Sequence, residues 1–306
     1  LRLALQNAIE LEHATIPPYL TAYYSLKSGT NREIASLLRS IIVEEMQHMT
    51  LAANLLNAVD GRPIINKPGF VPKYPGPLPM GIGDKPGETF IVPLKRFSRQ
   101  LVHDIFMTIE GPENPLHFKV KPMKVGLEMA PEYQTIGQFY AAIRQLILNE
   151  GNGIFTRDPK QQAKQVTGVF GLPDSVLKIT DVDSAVRAID RIIIQGEGTP
   201  TSPDDGQQEL AHYYKFEEIF RGQSLVKDSP DSPWQWDPSK PIPFDPSGVW
   251  PIMDNPSLAA YPKDPQSYRL AQEFNGIYSK LLNSLHVAFN GQPETVNDAV
   301  GIMYSL

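Results

Sequence analysis

The sequence predicts an all-α protein whose core is a four-helix bundle. Several long segments place apolar residues at every third or fourth position, which is the pattern of a helix with one buried face. Four of these stripes also carry an acid, and two of them a histidine three residues after the acid. We predict bundle helices at about 2–27, 31–59, 182–197 and 207–222. Further helices are predicted at 96–109, 132–150 and 266–289, with a last one from about 293.

Composition narrows the function classes. The chain has 306 residues, a formal net charge of −6 and no cysteine. The acidic balance argues against nucleic acid and anionic membranes as partners. Because the chain has no cysteine, disulfides and thiolate sites are excluded and a cytoplasmic location is the expectation. No apolar run is long enough to span a bilayer. Both ends fall in apparently structured sequence, so we expect them to be trimmed and give a missing targeting signal no weight.

The second helix carries the first candidate ligands. In the sequence "IIVEEMQHMTLAANLL", Glu45 and His48 lie inside the apolar stripe rather than opposite it. A buried carboxylate without a partner costs several kcal/mol or changes its pKa. Asn31 or Thr30 can cap this helix, and a turn beginning at Asp60 ends it.

The sixth helix repeats the spacing. In "QQELAHYYKFEEIF", Glu209 and His212 stand three residues apart, and Phe216, Ile219 and Phe220 continue an apolar stripe. Residues at i and i+3 project from the same side of a helix. Two such pairs on core stripes indicate a shared buried site.

Two single acids complete the set. Glu12 lies on the stripe of the first helix, and Glu197 ends the stripe of the fifth. Four carboxylates can ionise in one core only if cations lie between them, and two divalent metal ions supply that charge. Oxygen-rich ligands with one imidazole per metal favour iron, with manganese as the alternative. The predicted metal ligands are Glu12, Glu45, His48, Glu197, Glu209 and His212.

Several neighbours remain alternatives. Glu44 is adjacent to the predicted ligand Glu45 and could compete with it. Glu197 lies between glycines in "QGEGTP", and its rivals on the fourth helix are Gln138 and Glu150.

The first helix contains two prolines in "IPPYL". Pro17 and Pro18 remove two amide donors and free the carbonyls of His13 and Ala14, which either breaks the helix or kinks it and widens the bundle beside the metals. Glu10 and His13 flank the site, as outer neighbours of the ligands or in solvent. Candidates to line a widened space are Tyr19, Tyr23, Tyr213 and Tyr214.

Two long stretches, 60–95 and 223–265, are rich in proline. They also contain large apolar residues, among them Trp234, Trp236 and Trp250. Proline with aromatics predicts ordered extended loops on the bundle, where the tryptophans would wall a pocket. A short hairpin at "ETFIVPL" is a weaker expectation.

Five segments in order resemble a known family. These are "ELEHATIPPYLTAYYSL", "VEEMQHM", "IIQGEG", "ELAHYYKFEEI" and "FNGIYSKLL". Together they resemble the ferritin-like domain of iminophenyl-pyruvate dimer synthases from violacein- and rebeccamycin-type pathways, over roughly residues 1–290. The resemblance implies one ferritin-like domain over 1–306, with loop insertions at 60–95 and 223–265 and C-terminal helices in 266–306. It implies secondary metabolite biosynthesis and amino-acid-derived substrates.

The function predicted from these features is a di-iron oxidoreductase. Oxygen or peroxide would be the oxidant and a small organic molecule the substrate. A metal-binding or interaction module without turnover, and an iron-storage or ferroxidase protein, are the alternatives. The sequence leaves oligomeric state open, a homo-oligomer included.

Overall fold

The computed structural model describes residues 1–112, 133–172, 174–205, 209–227, 229–230, 232–261 and 265–306. Within them the protein is mainly helical, which confirms the all-α prediction. The helices are α1 Arg2–Tyr24, α2 Arg32–Ala58, α3 99–109, α4 Ile136–Glu150, α5 Pro159–Gln162, α6 Val182–Glu197, α7 His212–Arg221, α8 Pro265–Phe289 and α9 Val296–Met303. One two-stranded antiparallel ribbon consists of β1 Gln223–Val226 and β2 Gln235–Pro241. Residues 132 and 207–208 of the predicted helices lie outside the described residues.

The bundle is larger than the four predicted segments. Helices α1 and α2 pack along each other after a short turn, and α6 packs on α4, α2 and α7. Helix α7 packs on α2 and on the middle of α3. The core between these helices is buried and combines aliphatic and aromatic side chains, with Leu5, Ile9, Ile189, Phe106 and Phe216 among its members. Helices α3 and α4 therefore belong to the packed core, although the sequence analysis left them outside the bundle.

Local sequence explains several helix starts. Asp181 caps α6 and forms a reciprocal capping box with Ser184, and Thr135 caps α4 through its side chain. Asn31 precedes α2 but makes no side-chain cap. Its amide instead pairs with the backbone of Asp245 in the second proline-rich loop, at 2.7 and 3.1 Å.

Helix α1 continues through its two prolines. Pro18 cannot donate to the carbonyl of Ala14, and the Tyr74 hydroxyl donates to that carbonyl instead, at 2.7 Å. The first proline-rich loop therefore supplies the hydrogen bond that the proline removes. The prolines do not break the helix.

Helix α3 contains a π-helical turn, Val102–Phe106, between short α-helical pieces. The wider turn changes which side chains face the core. Val102, Phe106 and Ile109 are buried, and the buried Glu110 follows directly.

The described residues of both proline-rich stretches contact the bundle. The first buries Phe70, Ile82 and Val92 in the core. The second pairs with the α1–α2 turn, where the Trp250 amide donates to the Ser25 carbonyl at 2.7 Å. At the predicted hairpin the structure has only isolated bridges, whereas the β1–β2 ribbon was not predicted.

Each tryptophan of the second loop lies against a cation: Trp234 against Lys227, Trp236 against Arg221 and Trp250 against Lys27. Trp250 is half exposed. These cation–π contacts hold the described part of the loop in place. A tryptophan wall around a pocket stays a prediction.

Across the described part of the chain, no helix combines the length and the apolarity that crossing a bilayer requires.

Candidate metal centre

Five buried acid and histidine side chains meet inside the bundle. They come from α1, α2, the end of α3 and the start of α7, and are Glu12, Glu45, His48, Glu110 and His212. They form two overlapping sets of three, and within each set the potential ligand atoms all lie within 4.8 Å of one another. Glu45 belongs to both sets. A carboxylate between two sets is the arrangement that a pair of metal ions shares.

The two imidazoles face the shared carboxylate. His48 Nδ1 lies 3.7 Å from Glu45 Oε1 and 3.8 Å from Glu12 Oε2. His212 Nδ1 lies 2.8 Å from Glu45 Oε1 and 3.5 Å from Glu110 Oε2. The rings stack with centroids 5.4 Å apart, so both Nδ1 atoms point to one small volume.

The outer nitrogen of His48 fixes its tautomer. Its Nε2 lies 3.0 Å from Gln195 Oε1, and the Arg191 guanidinium also donates to that amide oxygen, at 3.3 Å. An amide oxygen only accepts, so His48 Nε2 carries the proton. The lone pair is therefore on Nδ1, which faces the carboxylates and can bind a metal.

The outer nitrogen of His212 meets a carboxylate. Its Nε2 donates to Glu44 Oε2 at 2.8 Å, and the buried Lys215 ammonium donates to the same oxygen at 3.1 Å. Burial alone would raise the pKa of Glu44, but these two partners lower it to about 2. Glu44 therefore orients His212 instead of competing with Glu45 for a metal. A carboxylate behind a histidine is the usual support of a metal ligand.

Each carboxylate in the cluster has one oxygen held by a hydroxyl group. Tyr140 donates to Glu12 Oε1, Thr15 to Glu45 Oε2 at 2.7 Å, and Tyr19 to Glu110 Oε1 at 2.5 Å. The other oxygen of each carboxylate faces a histidine Nδ1. The inward-facing atoms are therefore Glu12 Oε2, Glu45 Oε1, Glu110 Oε2, His48 Nδ1 and His212 Nδ1.

Electrostatics oppose this cluster when only the protein's own charges are present. Burial raises the pKa of Glu12 well above its usual range, and burial also raises the pKa of Glu110; the charge of Glu45 adds to both. Burial lowers the pKa of His48 to about 4. Burial would also raise the pKa of Glu45, but His212 and His48 hold it below its ordinary value. Cations between these groups would offset the repulsion.

One atom tests directly whether a metal fits. His212 Nδ1 is buried and lacks any hydrogen bond of acceptable geometry, although it lies 2.8 Å from Glu45 Oε1. Burial would lower the pKa of His212, but its contacts with Glu110, Glu44 and Glu45 raise that pKa well above its usual value, so without a metal a proton on this nitrogen faces the carboxylates. A metal ion bound by Nδ1 and the neighbouring carboxylates would take the place of that proton, so the residues present fit a metal.

The structure does not bring Glu197, a predicted ligand, into either of the two buried sets. Glu197 ends α6, and its Oε1 accepts the backbone N–H of Gly137 at 2.8 Å, in the first turn of α4. Amides at a helix start carry partial positive charge and attract a carboxylate. Its rivals lie elsewhere too: Gln138 accepts the backbone N–H of Gln134, and Glu150 is exposed at the end of α4.

Glu209 is also outside the cluster. The i, i+3 argument holds only on a helix, and α7 begins at His212, three residues after Glu209. The Glu209 side chain is 57% exposed and pairs with Lys215 at 2.8 Å. Of the second predicted pair, the structure brings only the histidine to the cluster.

Glu110 is the residue that sequence reasoning missed. It follows the buried Phe106 by four positions, in the same way that Glu12 continues the stripe of α1. That spacing was a usable signal, but Glu110 has no histidine three residues after it and therefore does not match the Glu-x-x-His pattern. The two residues that flank Glu12 in the sequence lie in different environments. Glu10 pairs with Lys67 at the surface, and His13 is buried beside Tyr278. Among the tyrosines proposed as a lining, Tyr19 reaches the cluster.

Comparisons with known proteins agree with this architecture. A family profile described as "Ferritin-like" matches residues 5–221, a span that contains all five cluster residues. A solved ferritin-like protein from Caulobacter vibrioides superposes with a TM-score of 0.62, covering 95% of this chain and 86% of the other. The two are 22% identical, so this likeness shows the fold alone. No curated protein matches the sequence.

The family profile spans most of the chain and the whole of the buried cluster. The protein therefore belongs to the ferritin-like family.

Proposed function

We propose that the protein is a dinuclear metal oxidase or oxygenase acting on a small organic substrate, with iron as the metal and manganese as the alternative. The observation that carries the proposal is the pair of ligand sets that share Glu45. Each set has carboxylates and one histidine whose Nδ1 faces them. Two divalent ions would be held by Glu12, Glu45 and His48 on one side and by Glu45, Glu110 and His212 on the other.

Charge supports two ions. Three ionised carboxylates contribute −3 at the centre, and the more distant Glu44 is neutralised by Lys215, 3.1 Å away. Two divalent cations would balance the three carboxylates and leave a small positive excess, which suits an anionic oxidant or substrate.

Ligand chemistry supports iron or manganese. Carboxylate oxygens with one imidazole per ion are ligands that suit iron and manganese. The chain has no cysteine, so a structural metal site built from thiolates is excluded. When bound, a pair of iron ions supplies redox chemistry with oxygen or peroxide. Five ligand residues do not fill the coordination positions of two metal ions. The open coordination positions could bind the oxidant or the substrate, as catalytic metal sites require.

The chain's own residues orient and shield the site. Hydroxyls of Tyr140, Thr15 and Tyr19 fix the carboxylates, so the inward oxygens stay aimed at the centre. The Tyr19 ring packs edge-on against Phe106 and Phe216, with centroids at 4.7 and 5.2 Å. This aromatic group excludes water beside Glu110, which strengthens electrostatic interactions there.

The resemblance to iminophenyl-pyruvate dimer synthases supports the substrate class. It favours an amino-acid-derived molecule, such as an imine or keto acid, in a pathway of secondary metabolism, and the lack of cysteine favours the cytoplasm. It also favours one domain over the whole chain. The acidic charge of −6 argues against nucleic acid and membrane partners.

Metal analysis of the full chain from iron-supplemented cells tests the site. We expect two ions per chain, and a loss of metal in the double variant His48→Ala with His212→Ala. The matched control is His103→Ala, because His103 is half exposed and pairs with Asp104 at the surface. Retention of two ions in the double variant would refute the assignment.

Oxygen electrode measurements on the iron-loaded chain test turnover. Uptake that continues with an amino acid, imine or keto acid supports the oxidase. Uptake that stops once the added iron(II) is oxidised indicates a ferroxidase, and no uptake with oxygen or peroxide indicates a module without turnover.

A further inference from the structure

We propose that a cavity separate from the metal centre binds a small apolar molecule carrying one hydroxyl group. It lies between the α1–α2 pair and the C-terminal helices α8 and α9. The cavity has a volume of about 70 Å³. Among the described residues, its lining includes none of the five cluster residues. The proposal therefore goes beyond the metal centre and does not depend on it.

The walls define an apolar ligand. Helix α2 contributes Met46 and Met49, α8 contributes Leu282 and Leu285, and α9 contributes Met303 at its end. Thioether side chains are flexible and adapt to the shape of a guest. Water needs two to four polar partners to remain in such a space, so an apolar guest is favoured over water.

One polar group lies in this apolar lining and has an unmet need. His13 is 3% exposed, and its Nε2 lies 2.8 Å from the Tyr278 hydroxyl. Its Nδ1 is buried and has no hydrogen-bond partner. The remaining polar lining residue, Thr50, already donates to the Met46 carbonyl at 2.8 Å. A guest that offers a partner to His13 removes the cost of the orphan nitrogen.

The pairing of His13 with Tyr278 selects the guest's polar group. If Tyr278 donates to Nε2, then Nδ1 carries the proton and needs an acceptor. If Nε2 donates to Tyr278, then Nδ1 is an acceptor and needs a donor. A hydroxyl group both donates and accepts, so it satisfies either tautomer. The geometry thus favours an alcohol or phenol over a carboxylate or a hydrocarbon.

The chain carries its own reporters for a test. Methionines labelled with ¹³C at the methyl group give separate NMR signals for Met46, Met49 and Met303 in the wall and for the half-exposed Met253 outside it. The probes are ethanol and chloroethane, which are small enough for this volume, have the same carbon chain and differ in the hydroxyl. We expect saturable shifts of the three wall signals with both probes and none at Met253. Equal shifts at Met253, or no saturable shift in the wall, would overturn the proposal.

Two substitutions locate the guest. Val300→Phe fills the cavity from α9 and should abolish the saturable shifts. Val287→Phe adds the same side chain at a position of α8 that is 43% exposed, and should leave them unchanged. Binding that survives Val300→Phe, or that is lost equally in both variants, would contradict the location.

A double variant tests recognition of the hydroxyl. His13→Phe with Tyr278→Phe keeps the aromatic packing and removes both polar groups. The preference for ethanol relative to chloroethane should fall by about tenfold, the equivalent of one hydrogen bond. An unchanged ratio would refute the role of His13. We expect the same affinities after chelator treatment and after addition of zinc, a diamagnetic divalent ion used in place of iron, so a failure of the metal proposal leaves this test intact. Binding that requires zinc would contradict a separate site.

Discussion

Replacing Glu110 by glutamine separates a metal ligand from a structural acid, because the expected effect on stability differs with and without metal. Glu110 Oε2 lies 3.5 Å from His212 Nδ1, and Oε1 accepts from Tyr19 at 2.5 Å. Glutamine keeps the size and an oxygen for Tyr19 but loses the charge. Burial raises the pKa of Glu110, with a further rise from the charge of Glu45, so the metal-free chain gains nothing from ionising it. We expect Glu110→Gln to leave the metal-free protein as stable or to stabilise it.

The metal-loaded protein should respond in the opposite direction. Substituting a group that supports a metal ligand typically lowers the affinity for the metal 10–100-fold, and we use the upper value for the ligand Glu110 itself. A metal present at a hundred times its dissociation constant stabilises the fold by about 2.7 kcal/mol, and a hundredfold weaker site retains about 0.4 kcal/mol. The difference, about 2.3 kcal/mol, corresponds to a Tm decrease of about 4 °C in a chain of this size. Differential scanning fluorimetry with and without added iron(II) or manganese(II) under anaerobic conditions measures both effects.

Glu197→Gln and Glu209→Gln are the matched controls, because both acids lie outside the cluster. They should leave the stabilisation by metal unchanged. A metal-dependent Tm that survives Glu110→Gln but is lost in either control would refute the ligand set derived from the structure.

Two further substitutions test the supports of the site. Lys215→Met should lower the free energy of unfolding by about 3 kcal/mol in urea titrations, because it leaves the mostly buried Glu44 without its ammonium partner. Adding Glu44→Gln to the same chain should restore part of that loss, and no restoration would contradict this pairing. Gly137→Ala places a Cβ 2.5 Å from Glu197 Oε2, so the carboxylate must move and the chain should lose about 1 kcal/mol while its metal affinity stays unchanged. A fall in metal affinity with Gly137→Ala would instead support Glu197 as a ligand.

The helices of the bundle could be predicted from sequence because an apolar stripe with a period near 3.6 admits few other structures. The same stripes predict that Glu12, Glu45 and His48 face the core, where all three are buried, since each lies in the interior of a long helix in which position along the chain fixes side-chain direction. Those three residues, with His212, meet in the structure as the sequence analysis proposed.

The predicted ligands that the structure does not bring into the buried sets lie at helix ends. Glu197 is the last residue of α6, where the chain leaves the helix at Gly198, so its direction follows the adjacent α4 rather than the stripe. Glu209 precedes α7, and a spacing of three has no directional meaning before a helix begins. Tertiary contacts decide these two positions, and local sequence patterns do not record them. For Glu110 the four-residue step from Phe106 is present in the sequence, but a π-helical turn precedes it and shifts side-chain direction by an amount that a regular period does not contain.

Anomalous diffraction from crystals of the iron-loaded chain, collected on both sides of the iron absorption edge, tests the central claim most directly. We expect two iron peaks: one bound by Glu12, Glu45 and His48 Nδ1, and one bound by Glu45, Glu110 and His212 Nδ1. Glu45 should contact both ions, with Glu197 and Glu209 bound to neither. A single peak, or a second ion held by Glu197 or Glu209 in place of Glu110, would contradict it.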